Sequence, residues 1–222
     1  QSRIKMLEKL ETPAELEKIA EIRFRFESLP FYGGVMLAAH SLGFRYQADT
    51  PLIDGCDLSI YPGDRIGIIG RNGAGKTTLL RLLANAQQPQ TGTIKRKSTV
   101  EWGLFTQTNV QTLVPHKTIV EELLESDAEA GEQAIRNLCA SLLFRGEDVF
   151  KPISVLSGGE KSRVSLGKLM LKPAHILFLD EPTNHLDMES CDALCAALEA
   201  FEGAVVLVSH NEDLLSRLTN KL

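Results

Sequence analysis

Residues Gly70-Arg71-Asn72-Gly73-Ala74-Gly75-Lys76-Thr77 restrict the fold of this chain more than any others. They follow the short apolar run Arg65-Ile66-Gly67-Ile68-Ile69 and precede Thr78, Leu79, Leu80, Leu82 and Leu83. The run predicts a buried strand and the leucine spacing predicts a helix, so the glycines occupy a strand-to-helix turn. Glycine lets the backbone curl until its N–H groups point inward, and the helix adds its positive N-terminal end. Such a concavity suits phosphate. Lys76 can neutralise charge on the β and γ phosphates, Thr77 can ligate magnesium through its hydroxyl, and Thr78 continues the same surface. The Gly-x4-Gly-Lys-Thr spacing in this context predicts a nucleotide site; a glycine-rich turn without a ligand is the competing reading.

A second element has the same logic. Ile176-Leu177-Phe178-Leu179 is a continuous apolar run ending in Asp180-Glu181. It places two acids at the carboxyl edge of a sheet, where ligands bind in open α/β folds. Asp180 is the expected magnesium partner, and Glu181, one residue on, the candidate to polarise an attacking water. Without the phosphate loop, two acids at a strand end would be read as ordinary loop solvation. Ala204–Val208 is another apolar run, and both runs suit parallel strands buried on two faces. Leu37–Tyr46 and Cys56–Tyr61 are strand-like stretches, with a turn at Pro62-Gly63-Asp64. From Val120 to Leu143 apolar residues return at helical spacing, which predicts a helical insert. Together these predict an α/β fold with a largely parallel sheet.

Composition narrows the partners. A formal charge of -5 excludes a chain that coats nucleic acid by bulk electrostatics, although a local contact patch remains compatible with it. Cys56, Cys139, Cys191 and Cys195 show no zinc-ribbon or secreted-scaffold spacing. Cys191 and Cys195 would share a helix face, where packing is the expected role and metal ligation the alternative. No apolar run reaches the roughly 20 residues that span a bilayer. The first residues, QSRIKMLEKLE, are charged and helical in pattern and unlike a signal peptide. Starting at Gln1 without methionine, the chain is expected to be a piece of something longer. Thr12-Pro13-Ala14-Glu15 predicts a second helix start. Residues 1–28 hold six Lys/Arg and six Asp/Glu, a balanced segment and not a basic arm. Ile22, Phe24 and Phe26 alternate with Arg23 and Arg25, which is strand periodicity.

With Leu156-Ser157-Gly158-Gly159-Glu160 added, the ordered series resembles the ABC ATPase superfamily over roughly residues 35–215. The resemblance implies a P-loop NTPase cassette with a mainly parallel core sheet, an antiparallel β subdomain and a helical subdomain at about 110–170. It also implies that Ser157, Gly158, Gly159 and Glu160 grip the γ-phosphate of ATP held by an opposing cassette. A serine and two free amides before a helix are suited to an anion. By the same resemblance Gln107 reaches magnesium and the water, His210 contacts the γ-phosphate, and Tyr46 stacks on adenine. Read singly, Gln107 is a polar loop residue, His210 a structural histidine, and Tyr46 a core or rim aromatic.

Glu181-Pro182-Thr183-Asn184-His185-Leu186-Asp187 and Glu160-Lys161-Ser162-Arg163 look like the ABC-F branch. This branch consists of soluble twin-cassette ATPases, many of which act on the ribosome. The resemblance implies MgATP as ligand, a cytoplasmic protein, and a second cassette as partner, in cis or as a homodimer of this piece. It further implies ribosome or rRNA contact for the whole protein. Residues 1–34 become the end of an inter-cassette linker with its lead-in strand, and 35–222 a cassette cut short at its C-terminus. Asp187 would lie at the cassette contact. Asn211-Glu212 after His210 depart from the Asp-Arg common in the family. The alternative is the ATPase subunit of a membrane transporter, which would bring a membrane permease as partner.

Overall fold

Two adjacent strands, β6 (Ile176–Asp180) and β7 (Ala204–Val208), are buried along their whole length. The computed structural model describes residues 21–47, 50–127 and 129–222, with the Gln107 side chain excepted; the helices expected before residue 21 lie outside this range. In β6 and β7 alternate residues enter different cores, as the period of two requires. Leu177, Leu179, Val205 and Leu207 join one apolar cluster, while Ile176, Phe178, Ala204, Val206 and Val208 join another. With β3 (Arg65–Ile68) and β5 (Trp102–Phe105) they form a parallel sheet of order β3-β7-β6-β5.

The second cluster is closed by α1 (Lys76–Leu83) and by an antiparallel sheet. That sheet has the order β2-β1-β4, from β1 (Leu37–Phe44), β2 (Ile53–Ile60) and β4 (Thr91–Arg96). Leu80, Leu82 and Leu83 of α1 are fully buried, as their spacing predicts. The free carbonyls at the end of α1 are satisfied by the sheets: Trp102 Nε1 donates to Ala84 O at 2.8 Å and Arg96 to Leu83 O at 2.5 Å. The Arg96 guanidinium also lies 3.6 Å over the Trp102 ring.

The first cluster is closed by helices. The expected insert forms two helices, α3 (Ile119–Ser126) and α4 (Glu132–Ser141), preceded by the short α2 (Gln107–Gln111). Two 3-10 turns, Gly146–Phe150 and Ile153–Val155, lead to α5 (Gly158–Met170). In α3 a capping box links Thr118 and Glu121, the backbone amide of each bonded by the other's side chain at 2.8 and 3.3 Å. The buried carboxylate of Glu122 pairs with Lys168 of α5. The last helices are α6 (Met188–Ala200) and α7 (Glu212–Leu218).

Residues 22–29 differ from the expected strand. Ile22, Phe24 and Phe26 are buried on one side as their alternation predicts, but a single bridge, Ser28 to Ala174, replaces a ladder. The reason is that this segment joins two different elements. Arg23 N bonds Ser141 O at the end of α4 at 2.8 Å, whereas Leu29 N bonds Ala174 O beside β6 at 3.0 Å. Its three apolar side chains belong to the first cluster together with the helices. Phe24→Ala is therefore expected to lower stability by about 3 kcal/mol, read as a lower urea midpoint of the whole cassette. A segment that merely leads into the domain predicts no shift.

Candidate nucleotide site

The loop between β3 and α1 owes its shape to the residues flanking it. Gly75 caps α1 in a left-handed conformation, φ 92°, and a side chain there would stand 3.0 Å from Leu52. The Lys76 ammonium folds back over the loop and donates to Gly70 O at 2.9 Å and Arg71 O at 3.0 Å. Ala74 N bonds Arg71 O at 3.2 Å, so Gly70, Arg71 and Ala74 supply backbone to the loop. The other loop residues open onto a cleft of about 560 Å³, lined by Asn72, Gly73, Gly75, Lys76, Thr77 and Thr78. This size accommodates a nucleotide-sized ligand.

The carboxyl ends of β6 and β7 deliver the remaining groups. Asp180 closes β6 and is buried, and Glu181 follows it with φ 49°. Glu181 N bonds Val208 O at 2.9 Å, which holds the two strand ends side by side. The Glu181 side chain is only 13% exposed, and its Oε1 is buried without a hydrogen bond. His210 follows β7. Its Nε2 stands 3.6 Å from Glu181 Oε1 and its amide donates to Oε2 at 3.4 Å. Asp180, Glu181 and His210 all line the cleft opposite Lys76 and Thr77.

Tyr46 also lines it. The ring is 66% exposed, which rules out a core role, and it meets Phe44 edge-on at 5.0 Å. Its hydroxyl lies 3.3 Å from the Thr78 hydroxyl, and this hydrogen bond lowers the phenol pKa from its ordinary value. Gln107 opens α2, and its side chain lies outside the described residues.

Ser157, Gly158, Gly159 and Glu160 do not line this cleft. They start α5, where Ser157 Oγ accepts from Glu160 N at 3.3 Å and Glu160 Oε2 accepts from Ser157 N at 2.8 Å. Burial works against ionisation of Glu160, and the bonds from Ser157 outweigh it, so its pKa is lowered. Asp187 caps α6 through Ser190 N at 2.8 Å, and its bonding to Ser190 holds its carboxyl below the usual range. Asn211 caps α7 through Leu214 N at 3.0 Å. Cys191 and Cys195 share α6; burial pushes both thiols up, and no metal-holding cluster of His, Cys, Asp or Glu occurs among the described residues.

Three lining residues were not singled out from sequence: Leu52, Asn184 and Val208. Asn184 sits inside the Glu181–Asp187 string and was within reach of that reading. Leu52 carried no signal, because only the packing of β2's start beside Phe44 brings it to the phosphate loop.

A family profile described as ABC transporter matches residues 53–184. A probable ATP-binding protein of Escherichia coli K12, YheS, is 38% identical over all of this chain and 35% of its own length. ABC transporter F family member 3 of Arabidopsis thaliana is 33% identical over all of this chain and 31% of its own. The first curated relatives are matched over only 30% to 42% of their length. A bacterial Atm1-family ABC exporter solved with ATP bound shares the fold, with a TM-score of 0.70 over 90% of this chain and 38% of that one at 21% identity. Among the described residues no helix is long and apolar enough to cross a membrane.

Gly75 holds a left-handed torsion against Leu52, so its glycine requirement should appear in stability. Gly75→Ala is expected to cost about 2 kcal/mol from backbone strain, measured by urea denaturation without nucleotide. An unchanged midpoint would mean that the loop relaxes freely.

Proposed function

This chain belongs to the ABC transporter family of ATP-binding cassettes, and on that footing we propose that it is one cassette of an ABC-F type ATPase, using MgATP to close against a partner cassette and act on the ribosome. The observation that carries the catalytic part is convergence. Lys76, Thr77, Asp180, Glu181 and His210, distant in sequence, line one cleft, and the carboxylate best placed for base catalysis has a buried oxygen with no hydrogen bond.

Each group has a task in the hydrolysis. Lys76 exchanges two neutral carbonyls for phosphate oxygens, which give stronger charge-assisted bonds. Thr77 and Asp180, with Gln107, offer the oxygen ligands that magnesium takes. Magnesium, when bound, neutralises charge on the phosphate oxygens. Water adds to the γ-phosphorus while the bond to the bridging oxygen of ADP breaks, and Glu181 accepts the water's proton. His210 orients Glu181 and faces the γ-phosphate. Tyr46, exposed at the cleft, stacks on adenine.

The partner cassette follows from what the cleft lacks. Ser157–Glu160 do not line this cleft, which supports their serving ATP held by another chain. ATP bridging both cassettes then favours the closed form, and hydrolysis removes the γ-phosphate contacts that hold it. The Glu181–Asp187 string, Glu160 and the name of the Arabidopsis relative support the ABC-F branch and with it a cytoplasmic, ribosome-directed protein. A membrane transporter subunit is the second reading, favoured by the family's description and the exporter's fold.

Glu181→Gln is expected to bind MgATP with near-parental affinity, to slow single-turnover hydrolysis at least about 100-fold, and to accumulate a closed dimer on gel filtration. Loss of binding in this variant would remove Glu181 as the base. With the same change in the full-length protein, ATP should drive co-sedimentation with ribosomes through a sucrose cushion. Recovery with a membrane permease instead would favour the transporter reading.

A further inference from the structure

Tyr46 is fixed at more points than an exposed turn requires. It stands between β1 and β2, where Leu52 N bonds Phe44 O at 2.9 Å and Gln47 pairs with Thr50 in an isolated bridge. The residue before it, Arg45, is clamped by a side chain 45 residues further on. Arg45 N donates to Gln90 Oε1 at 2.9 Å, and Gln90 Nε2 donates to Arg45 O at 2.9 Å. One amide side chain thus satisfies a backbone donor and a backbone acceptor together. Gln90 is held in turn, since its own N–H bonds Gly43 O at 3.0 Å. β4 begins at the next residue and pairs with β1.

The far end of the Tyr46 side chain is tied to α1. Its hydroxyl bonds that of Thr78, which is buried in the first turn of the helix. Gln87 and the charge of Arg81 act on the same phenol, and Arg81 is itself fixed by donating to Thr108 Oγ1 at 2.9 Å. A hydroxyl accepts and donates at once, so Thr78 can hold Tyr46 and still turn its proton to a phosphate oxygen. Backbone, ring edge and hydroxyl therefore each have a partner, although the residue is 66% exposed.

We infer that Gln90 is a positioning residue for the base. Acting through Arg45, and together with the Thr78 hydroxyl, it holds Tyr46 as a preformed stacking platform. This rests on the proposed reading of Tyr46 as the residue that stacks on adenine. Gln90 is exposed and does not line the cleft, so it has no direct contact to offer a ligand there. The physical reason for the clamp is entropy. An aromatic side chain on a loose turn loses rotamer and backbone freedom when a base stacks on it, and that loss weakens binding. A ring already held in place avoids most of it. The phosphates, which meet the loop at 70–77, gain nothing from the clamp, so its effect is confined to the base.

The test is calorimetric titration of the 222-residue chain with MgATP and with magnesium tripolyphosphate, which presents phosphates without a base. Gln90→Ala should raise the Kd for MgATP about fivefold or more, while its Kd for tripolyphosphate stays within about twofold of the parent's. Tyr46→Phe, which keeps the ring and deletes the hydroxyl, should weaken MgATP by about fivefold and spare tripolyphosphate. Added to Tyr46→Ala, Gln90→Ala should change the Kd for MgATP by less than about twofold, because its effect passes through the ring. If Gln90→Ala does not fold, Gln90→Glu takes its place; it keeps an acceptor for Arg45 N, loses the donor to Arg45 O, and should cost about threefold for MgATP alone. Parental MgATP affinity in the Gln90 variant or in Tyr46→Phe overturns the platform, as does an equal loss for tripolyphosphate or a fully additive loss in the double variant. Parental affinity in Tyr46→Ala removes the stacking reading and this inference with it. Failure of the parent to bind MgATP removes the nucleotide reading as a whole.

Discussion

The structure depends on one arrangement, the pairing of β6 with β7 between two apolar cores. Each strand sends alternate side chains to opposite clusters, so neither can slip by one residue without burying its neighbours' faces wrongly. Their registry from Ile176–Ala204 to Asp180–Val208 places both carboxyl ends at one level. Asp180, Glu181 and His210 inherit their positions from that registry. The glycine-rich loop at 70–77 arrives at the same edge because β3 pairs with β7 in parallel from Arg65–Val205 to Ile68–Val208. The site is a consequence of strand alignment before it is a matter of side-chain chemistry.

Around that edge, polar residues that suggest chemistry also carry structure. Ser157, Asp187 and Asn211 each cap the helix they precede. A cap of this kind contributes about 1 kcal/mol, so selection for folding alone accounts for part of what the sequence shows at these places. Asn211 illustrates the point: its side chain bonds Leu214 N and so serves α7 whatever else it does. Gly159 is similar, since its close approach to His185 explains its type without any ligand.

Legibility of the fold followed burial. Where a segment is apolar on both faces, as at 176–179 and 204–208, the run identified the strand and its environment together. The Ile22-Phe24-Phe26 alternation identified the buried side correctly but not the bonding partners. Side-chain period reports which face is covered; it carries no information on whether the covering element is a neighbouring strand. Here the covering elements are helices, and the backbone pairs only at Ser28. The helical insert was legible as helical, while its division into α3 (Ile119–Ser126) and α4 (Glu132–Ser141) was not, because both helices present apolar residues at the same spacing.

For the site, the sequence by itself determined the glycine-rich strand-to-helix loop at 70–77, the two acids after an apolar strand and the serine-glycine-glycine start of a helix. Local chain geometry shapes all three: glycine torsions, a strand end and a helix N-terminus need only a few neighbouring residues. What only the tertiary structure decided is which of these belong together. It joined Lys76, Thr77, Asp180, Glu181, His210 and Tyr46 in one cleft and added Leu52, Asn184 and Val208. It set Ser157–Glu160 apart, wedged on His185 instead. Those assignments follow from sheet order and from close packing between segments far apart in the chain, and neither is encoded in spacing along it.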